Sequence, residues 1–139
     1  MIKVGIFMAD GCEEIEGLTV VDIVRRAKLE IETISITEKA EVTSSHQVTF
    51  KTDTTKAQAD FDSYDAIVLP GGMPGTLNLG ADETVVKTIK RFAAEGKLVQ
   101  RYVQRLACSV RIIYLRAKKL PVIRALRKSC SVHSGLSSL

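Results

Sequence analysis

Short apolar runs alternate with amphipathic stretches over residues 1–99. The run Ile2–Met8 is rich in Ile and Val and predicts a buried central strand of a parallel sheet. A helix of about four turns is predicted next, up to Lys28, with Asp10 at the cap position and Glu13 three residues later as in a capping box. Leu29–Thr37 alternates apolar and polar residues, which indicates a second strand nearer the edge of the sheet.

The pattern continues in the same manner to Val99. Val42–Thr52 predicts a small hairpin, Ala66–Leu69 another buried strand, and Glu83–Glu95 a helix, and a further strand begins at Leu98. Strands that alternate with helices at this spacing indicate an α/β fold with a parallel sheet between helices. Ligand chemistry in such folds lies at the carboxyl ends of the strands.

Charge divides the chain into two regions at Val99. Residues 1–99 hold 11 Lys and Arg and all 16 Asp and Glu, whereas residues 100–139 hold nine Lys and Arg and no acidic residue. The formal net charge of +4 therefore comes from the second region. We expect residues 1–99 to be the globular part and residues 100–139 to be a basic tail.

Cysteine usage and hydropathy narrow the cellular setting. The three cysteines have neither an even count nor metal-ligand spacing, so they fit a reducing compartment, and we expect the cytoplasm. The sequence has no apolar run long enough to span a bilayer and does not begin with a signal-peptide pattern, so we expect no membrane partner. Because the cysteines lack metal-ligand spacing, we expect no metal ion either.

Glu16 is the first candidate for chemistry. On the predicted helix, four apolar residues fall within about 80° of this carboxylate at 100° per residue; they are Val20, Ile23, Val24 and Ala27. Burial raises the pKa of a carboxyl group and yields a protonated acid that can donate a hydrogen bond to an anion. The alternative is a first-turn glutamate that only complements the helix dipole, which is our interpretation of Glu13 and Glu14.

Glycines, a cysteine and a histidine supply weaker candidates. Gly71 and Gly72 follow a buried strand and offer unobstructed backbone N–H groups for an oxyanion hole, although a plain tight turn uses the same residues. Cys12 is either activated by the helix N-terminus or simply packed. His46 lies in the hairpin beside two serines, where a solvated turn histidine is favoured over a catalytic base.

Two of these stretches together resemble the ThiJ/PfpI family, which includes the Parkinson-linked protein deglycase. They are Ala9–Glu16 (ADGCEEIE) and Leu69–Gly75 (LPGGMPG), and the likeness covers residues 1–99. Val21–Ala27 and Val42–Ser45 are similar to the bacterial branch. The resemblance implies a flavodoxin-like fold of the class I glutamine amidotransferase type and, in the intact family, a homodimer.

The resemblance also implies a cysteine-dependent site that needs no cofactor. Its activities are conversion of methylglyoxal to lactate and removal of early glycation adducts, with protection against oxidative stress, so the substrate is a small carbonyl compound. Glu16 matches the family's protonated acid, and Gly72 matches a backbone donor to the oxyanion. The nucleophilic cysteine is expected at the position of Val103 and a histidine at the position of Ile123, and neither residue is present.

A lost nucleotide explains both absences. If one G is restored before the codon for Gln100, synonymous codons permit Ala-Ala-Val-Cys-Ala-Ala over Gln100–Arg105 and a Cys-His-Pro-Gly stretch further on. The restored cysteine falls on Val103 and the restored histidine on Ile123, with the family's spacing. We therefore interpret residues 100–139 as out-of-frame translation, and Cys108 as incidental.

The competing interpretation is a non-enzymatic protein. It is either a truncated product or a binding module whose basic tail contacts phosphate groups, although we do not expect nucleic acid as a partner. As written, the chain keeps Glu16 and the glycine pair but lacks the thiol that they serve, so we expect no glyoxalase or deglycase activity.

Overall fold

The computed structural model describes residues 1–101 in full and the backbone of residues 102–103 and 111–115. Eleven elements are found in this part of the chain. They are β1 (Lys3–Met8), α1 (Glu14–Arg26), β2 (Glu30–Ser35), β3 (Glu41–Thr43), β4 (Thr49–Lys51), β5 (Thr54–Thr55), β6 (Ala66–Leu69), α2 (Gly75–Ala81), α3 (Glu83–Ala94), β7 (Leu98–Val103) and β8 (Arg111–Leu115).

Six strands form one sheet in the order β5-β2-β1-β6-β7-β8. Every neighbouring pair is parallel except β7 and β8, which are antiparallel. Strands β3 and β4 form the separate hairpin that the sequence predicts over Val42–Thr52. The predicted α/β class and flavodoxin-like arrangement are confirmed, and β2 lies next to the two-residue edge strand β5, as its mixed composition indicated.

The alternation along β1 divides the core into two layers, because successive side chains of a strand point to opposite faces. Val4, Ile6 and Met8 pack with the buried face of α1 and with Val42 of the hairpin. Phe7 packs on the other face with the cluster that includes residues of α2 and α3. This three-layer packing buries both faces of the central strands, which is why β1 and β6 are almost wholly apolar.

The start of α1 differs from the prediction. The helix begins at Glu14, and its cap residue, Glu13, makes no side-chain capping hydrogen bond. Asp10 is not a cap, because its carboxylate accepts a hydrogen bond from the backbone N–H of Thr43 (2.9 Å). The predicted apolar stripe is shorter too, since Ala27 is exposed and lies at the end of the helix. The Asp10 carboxylate, which the local motif predicts as a helix cap, therefore binds the hairpin instead.

Helix α2 was not predicted. Its sequence, GTLNLGA, contains two glycines and follows Pro74, so local propensity gives little indication of a helix. Helix α3, in contrast, matches the prediction to within one residue and is capped by Asp82, which accepts a hydrogen bond from Val85 N–H (3.1 Å).

Strand β7 crosses the boundary between the two charge regions. Leu98 and Val99 pair with Ala66 and Ile67, and the parallel register continues to Leu69 opposite Arg101. A separate basic tail over residues 100–139 stays a prediction, because residues 104–110 and 116–139 lie outside the described residues.

Candidate active site

Three chain segments meet at the carboxyl end of the sheet. The loop Ala9–Glu13 follows β1, the turn Pro70–Pro74 follows β6, and the end of β7 lies beside β6. Neighbouring parallel strands bring the loops that follow them to one edge. Backbone hydrogen bonds join the first two segments, since Glu13 N–H donates to Gly71 O (2.8 Å) and Gly75 N–H donates to Gly11 O (3.0 Å).

Glu16 projects from the first turn of α1 toward the turn after β6. Its side chain is half-buried, and Oε2 accepts a hydrogen bond from the backbone N–H of Gly71 at 2.7 Å. A methyl group at position 71 would overlap the same oxygen, so only glycine permits this approach. Glu16 thus lies beside the glycine pair in the structure; its role as a protonated acid stays a prediction.

The two glycines of the turn have different backbone environments. Gly71 donates its N–H to Glu16 and accepts from Glu13, so its donor is already used. Gly72 has φ of +98° and, among the described residues, its N–H has no hydrogen-bond partner. A side chain at Gly72 would also overlap the backbone of Cys12 and Glu13. Of the two predicted oxyanion donors, Gly72 therefore has the available N–H group.

Cys12 is packed in the core. It is fully buried, and desolvation raises the pKa of its thiol to about 11 despite the hydrogen bond with the backbone of Ala9. A thiol with this pKa is protonated at neutral pH and is a poor nucleophile. Of the two alternatives for Cys12, the geometry favours the packed residue.

His46 contacts two carboxylates of α1 and its cap. Its Nδ1 lies 3.1 Å from Glu14 Oε1 and 3.6 Å from Glu13 Oε2. The hydrogen bond with Glu14 raises the pKa of His46, while the pKa of Glu14 is lowered, first by its own backbone N–H and then by His46. His46 is exposed, in agreement with a solvated turn histidine, but the sequence did not indicate that it pairs with Glu14.

The strand end beyond Val99 is placed by its register. Leu69 is opposite Arg101 in the last pair of the parallel ladder, and β7 continues for two residues beyond it, to Val103. Only the backbone of Val103 is described, and Ile123 lies outside the described residues. The expected positions of the nucleophile and the histidine therefore stay predictions.

A small cavity of about 150 Å³ lies on the α2 and α3 side of β6. Its walls are mostly apolar and include Leu69, Leu79, Val85 and Arg101, but not Glu16. It borders Pro70 at the start of the turn, but neither Gly71 nor Gly72 is among its lining residues. None of the helices in the described residues is long and apolar enough to span a membrane.

Comparison with known proteins finds relatives that match the first hundred residues. The model of the DJ-1/PfpI family matches residues 2–101. Protein DJ-1 homolog B of Arabidopsis thaliana is 34% identical over 90 residues, which are 65% of this chain and 20% of that protein. Deglycase TK1284 of Thermococcus kodakarensis is 31% identical over 99 residues, covering 70% of this chain and 58% of the deglycase.

Solved structures agree with the sequence matches. A cysteine-to-alanine mutant of the DJ-1 superfamily protein STM1931 from Salmonella typhimurium has a TM-score of 0.68 and 38% identity. The match covers 73% of this chain and 55% of that one. Drosophila melanogaster DJ-1beta gives a TM-score of 0.69 with 28% identity, covering 72% of this chain and 54% of that chain. The chain thus spans about half the length of these structures.

Proposed function

Because the chain belongs to the DJ-1/PfpI family, we propose that residues 1–99 form the acid and oxyanion half of a cysteine-dependent site for small carbonyl compounds. In the intact family site this chemistry converts methylglyoxal to lactate or removes early glycation adducts. The observation that carries the proposal is the 2.7 Å hydrogen bond from Gly71 N–H to Glu16 Oε2 at the carboxyl end of the sheet. It holds the carboxyl group beside the turn whose next N–H, that of Gly72, has no hydrogen-bond partner among residues 1–101.

We propose a distinct task for each group. Gly71 N–H donates to Glu16 Oε2, and Oε1 is the oxygen that we assign to the contact with a neighbouring sulfur atom. A thiolate at position 103 would add to the aldehyde carbon, and the electron pair of the carbonyl bond would move to its oxygen. Gly72 N–H would stabilise that oxyanion.

This chain has Val103 where the thiolate is needed. A carboxylic acid and a backbone donor cannot replace the attacking atom in covalent catalysis. We therefore propose that the 139-residue protein is inactive and that the coding sequence has lost one nucleotide before codon 100. Relatives include a protein named as a deglycase and a solved structure in which a cysteine was mutated, which supports the family chemistry but not the state of this chain.

The test compares two products of the same gene. The purified 139-residue protein is incubated with methylglyoxal and assayed for lactate, and the product of the gene with one base restored before codon 100 is assayed in parallel. We expect lactate only from the restored product, and no activity when its new cysteine is replaced by serine or when Glu16→Ala is introduced.

Either of two results would contradict the proposal. Cysteine-dependent lactate production by the 139-residue protein would refute its inactivity. The frameshift would be refuted if restoring one base before codon 100 of the genomic DNA opens no longer frame with a cysteine codon at position 103. The non-enzymatic alternatives would then remain.

A homodimer is proposed from the surface of α1 and the hairpin. Ile15 and Leu18 on α1 are 71% and 38% exposed, and Val48 in the hairpin is 45% exposed. Large exposed apolar side chains on neighbouring elements are typical of a protein–protein contact. Light scattering of the full chain should give a dimer, and Ile15→Lys should give a monomer; a monomeric unmodified chain would contradict the proposal.

The cytoplasmic location and the absence of a nucleic-acid partner also stay proposals. Buried, unpaired Cys12 is compatible with a reducing compartment. Salt-dependent DNA binding that is lost when Lys118 and Lys119 are neutralised would instead favour the binding module with a basic tail.

A further inference from the structure

Three ligand atoms from two distant parts of the chain converge on one point of the surface. They belong to Glu13 and Glu14 at the start of α1 and to His46 in the hairpin turn, and all lie within 4.8 Å of one another. The sequence predicted no metal site, because His46 is 32 residues from Glu14 and no ligand motif joins them. The proposed carbonyl chemistry does not use any of the three side chains.

The spacing of these atoms is compatible with ligands of one metal ion. Nδ1 of His46 is 3.1 Å from Glu14 Oε1 and 3.6 Å from Glu13 Oε2. In a tetrahedral site with bonds of about 2.0–2.2 Å to nitrogen and oxygen, two ligands lie about 3.3–3.6 Å apart. Charge-assisted hydrogen bonds are shorter, at about 2.7–2.9 Å. The two measured separations lie within a few tenths of an ångström of this ligand spacing. Small side-chain rotations would therefore place all three atoms around one ion.

The backbone beneath the three ligands is already held in place. Ser45 N–H donates to Cys12 O (2.9 Å), which fastens the hairpin turn next to the start of α1. Glu13 N–H donates to Gly71 O (2.8 Å), which fastens the other side. Because both segments are fixed before any ion arrives, binding costs little ordering of the backbone. His46 is 65% exposed, so water can complete the coordination sphere.

We propose that Glu13, Glu14 and His46 bind one divalent transition-metal ion of the zinc type. The imidazole nitrogen favours Zn²⁺, Ni²⁺ or Cu²⁺ over Mg²⁺ and Ca²⁺, which prefer oxygen ligands alone. Two carboxylates neutralise the charge of the ion, and the bound ion links the hairpin to the start of α1. The site is next to the Gly71 turn but separate from Glu16, so its occupancy does not depend on the missing cysteine.

The test is a Zn²⁺ titration of the full 139-residue chain by calorimetry, after treatment with a chelator and dialysis. The variants are His46→Asn and Glu14→Gln, and the matched control is Glu83→Gln, which alters an exposed glutamate in the first turn of α3. A second control, His133→Asn, removes the other histidine of the chain. Melting curves in chelator verify that each variant folds.

We expect the unmodified chain to bind one equivalent of Zn²⁺. His46→Asn and Glu14→Gln should each lower the affinity for this ion at least about tenfold. Glu83→Gln and His133→Asn should leave that equivalent unchanged. The proposal would be overturned if the unmodified chain binds no Zn²⁺ or if the His46→Asn protein binds it with equal affinity. Loss of Zn²⁺ binding in the His133→Asn protein instead would also overturn it. Co²⁺ should give a visible absorption band that disappears in the His46→Asn protein, and its persistence would overturn the site in the same way.

Discussion

Two glutamates in the first turn of α1 face different surroundings. Glu16 points toward the turn after β6 and accepts the N–H of a glycine, whereas Glu14 points toward the hairpin and pairs with His46. They are two residues apart, which is about 200° around a helix. This rotation places Glu16 beside the backbone N–H of Gly71 and Glu14 beside the exposed imidazole of His46. Both residues are glutamates in the same helical turn, so their different environments come from the segments that they contact.

The largest effect should come from the glycine that shapes the Glu16 side. Gly72→Ala places a methyl group at φ of +98° and against the backbone of Cys12 and Glu13. We expect a loss of about 3 kcal/mol in the free energy of unfolding, measured by denaturant titration. The matched control is Gly96→Ala, where φ is +70° but no atom lies within 4 Å of the added carbon. It should cost about 1 kcal/mol, and equal losses in both variants would contradict the crowding.

Cys12 tests whether the loop before α1 is packed or reactive. Its pKa is raised from 9.0 to about 11, so its thiolate fraction at pH 8 is about a hundredfold below that of an ordinary thiol. Iodoacetamide labelling, followed by peptide mass spectrometry, should modify Cys12 at least about a hundredfold more slowly in the native protein than in denaturant. Native labelling at the denatured rate would show that the loop is open.

The Glu16 contact itself is the next test. Glu16→Ala leaves the N–H of Gly71 without its acceptor, which should lower the free energy of unfolding by about 1–3 kcal/mol. Glu16→Gln keeps an acceptor oxygen and should cost less than about 1 kcal/mol. If both variants lose the same stability, the hydrogen bond to Gly71 is not what holds the side chain.

The exposed pair should give the smallest effect and the clearest pH dependence. The pKa of His46 in the folded protein is raised above its ordinary value. The contribution of the His46–Glu14 pair to the free energy of unfolding is therefore fully present below about pH 6.5 and is lost as the pH rises through the folded pKa. The lowered pKa of Glu14 keeps this carboxylate charged in that range. In chelator, His46→Asn should lower the melting temperature slightly at pH 6 and leave it unchanged at pH 9. A difference that persists at pH 9 would contradict the charge pairing.

Much of the fold could be predicted because its signals are local. The apolar runs in β1 and β6 and the alternation in β2 follow from which faces are buried, and the predicted strands and α3 lie close to their observed bounds. Asp10 shows where local logic fails: the sequence suits a helix cap, but Thr43 N–H competes successfully for the carboxylate. Helix α2 was missed for the converse reason, because a weak helix former is stabilised by packing Leu79 into the core.

The sequence by itself determined that Glu16 lies on the apolar side of its helix and that two glycines follow a buried strand, since both follow from periodicity within one element. Only the tertiary structure decided that Gly71 donates to Glu16, that Gly72 N–H has no partner within the described part of the chain, and that His46 meets Glu14. Those contacts join residues 32 to 55 positions apart, and the order of the strands and the path of the hairpin bring them together. No local pattern carries that information, because strand order is set by how the whole sheet buries its two faces.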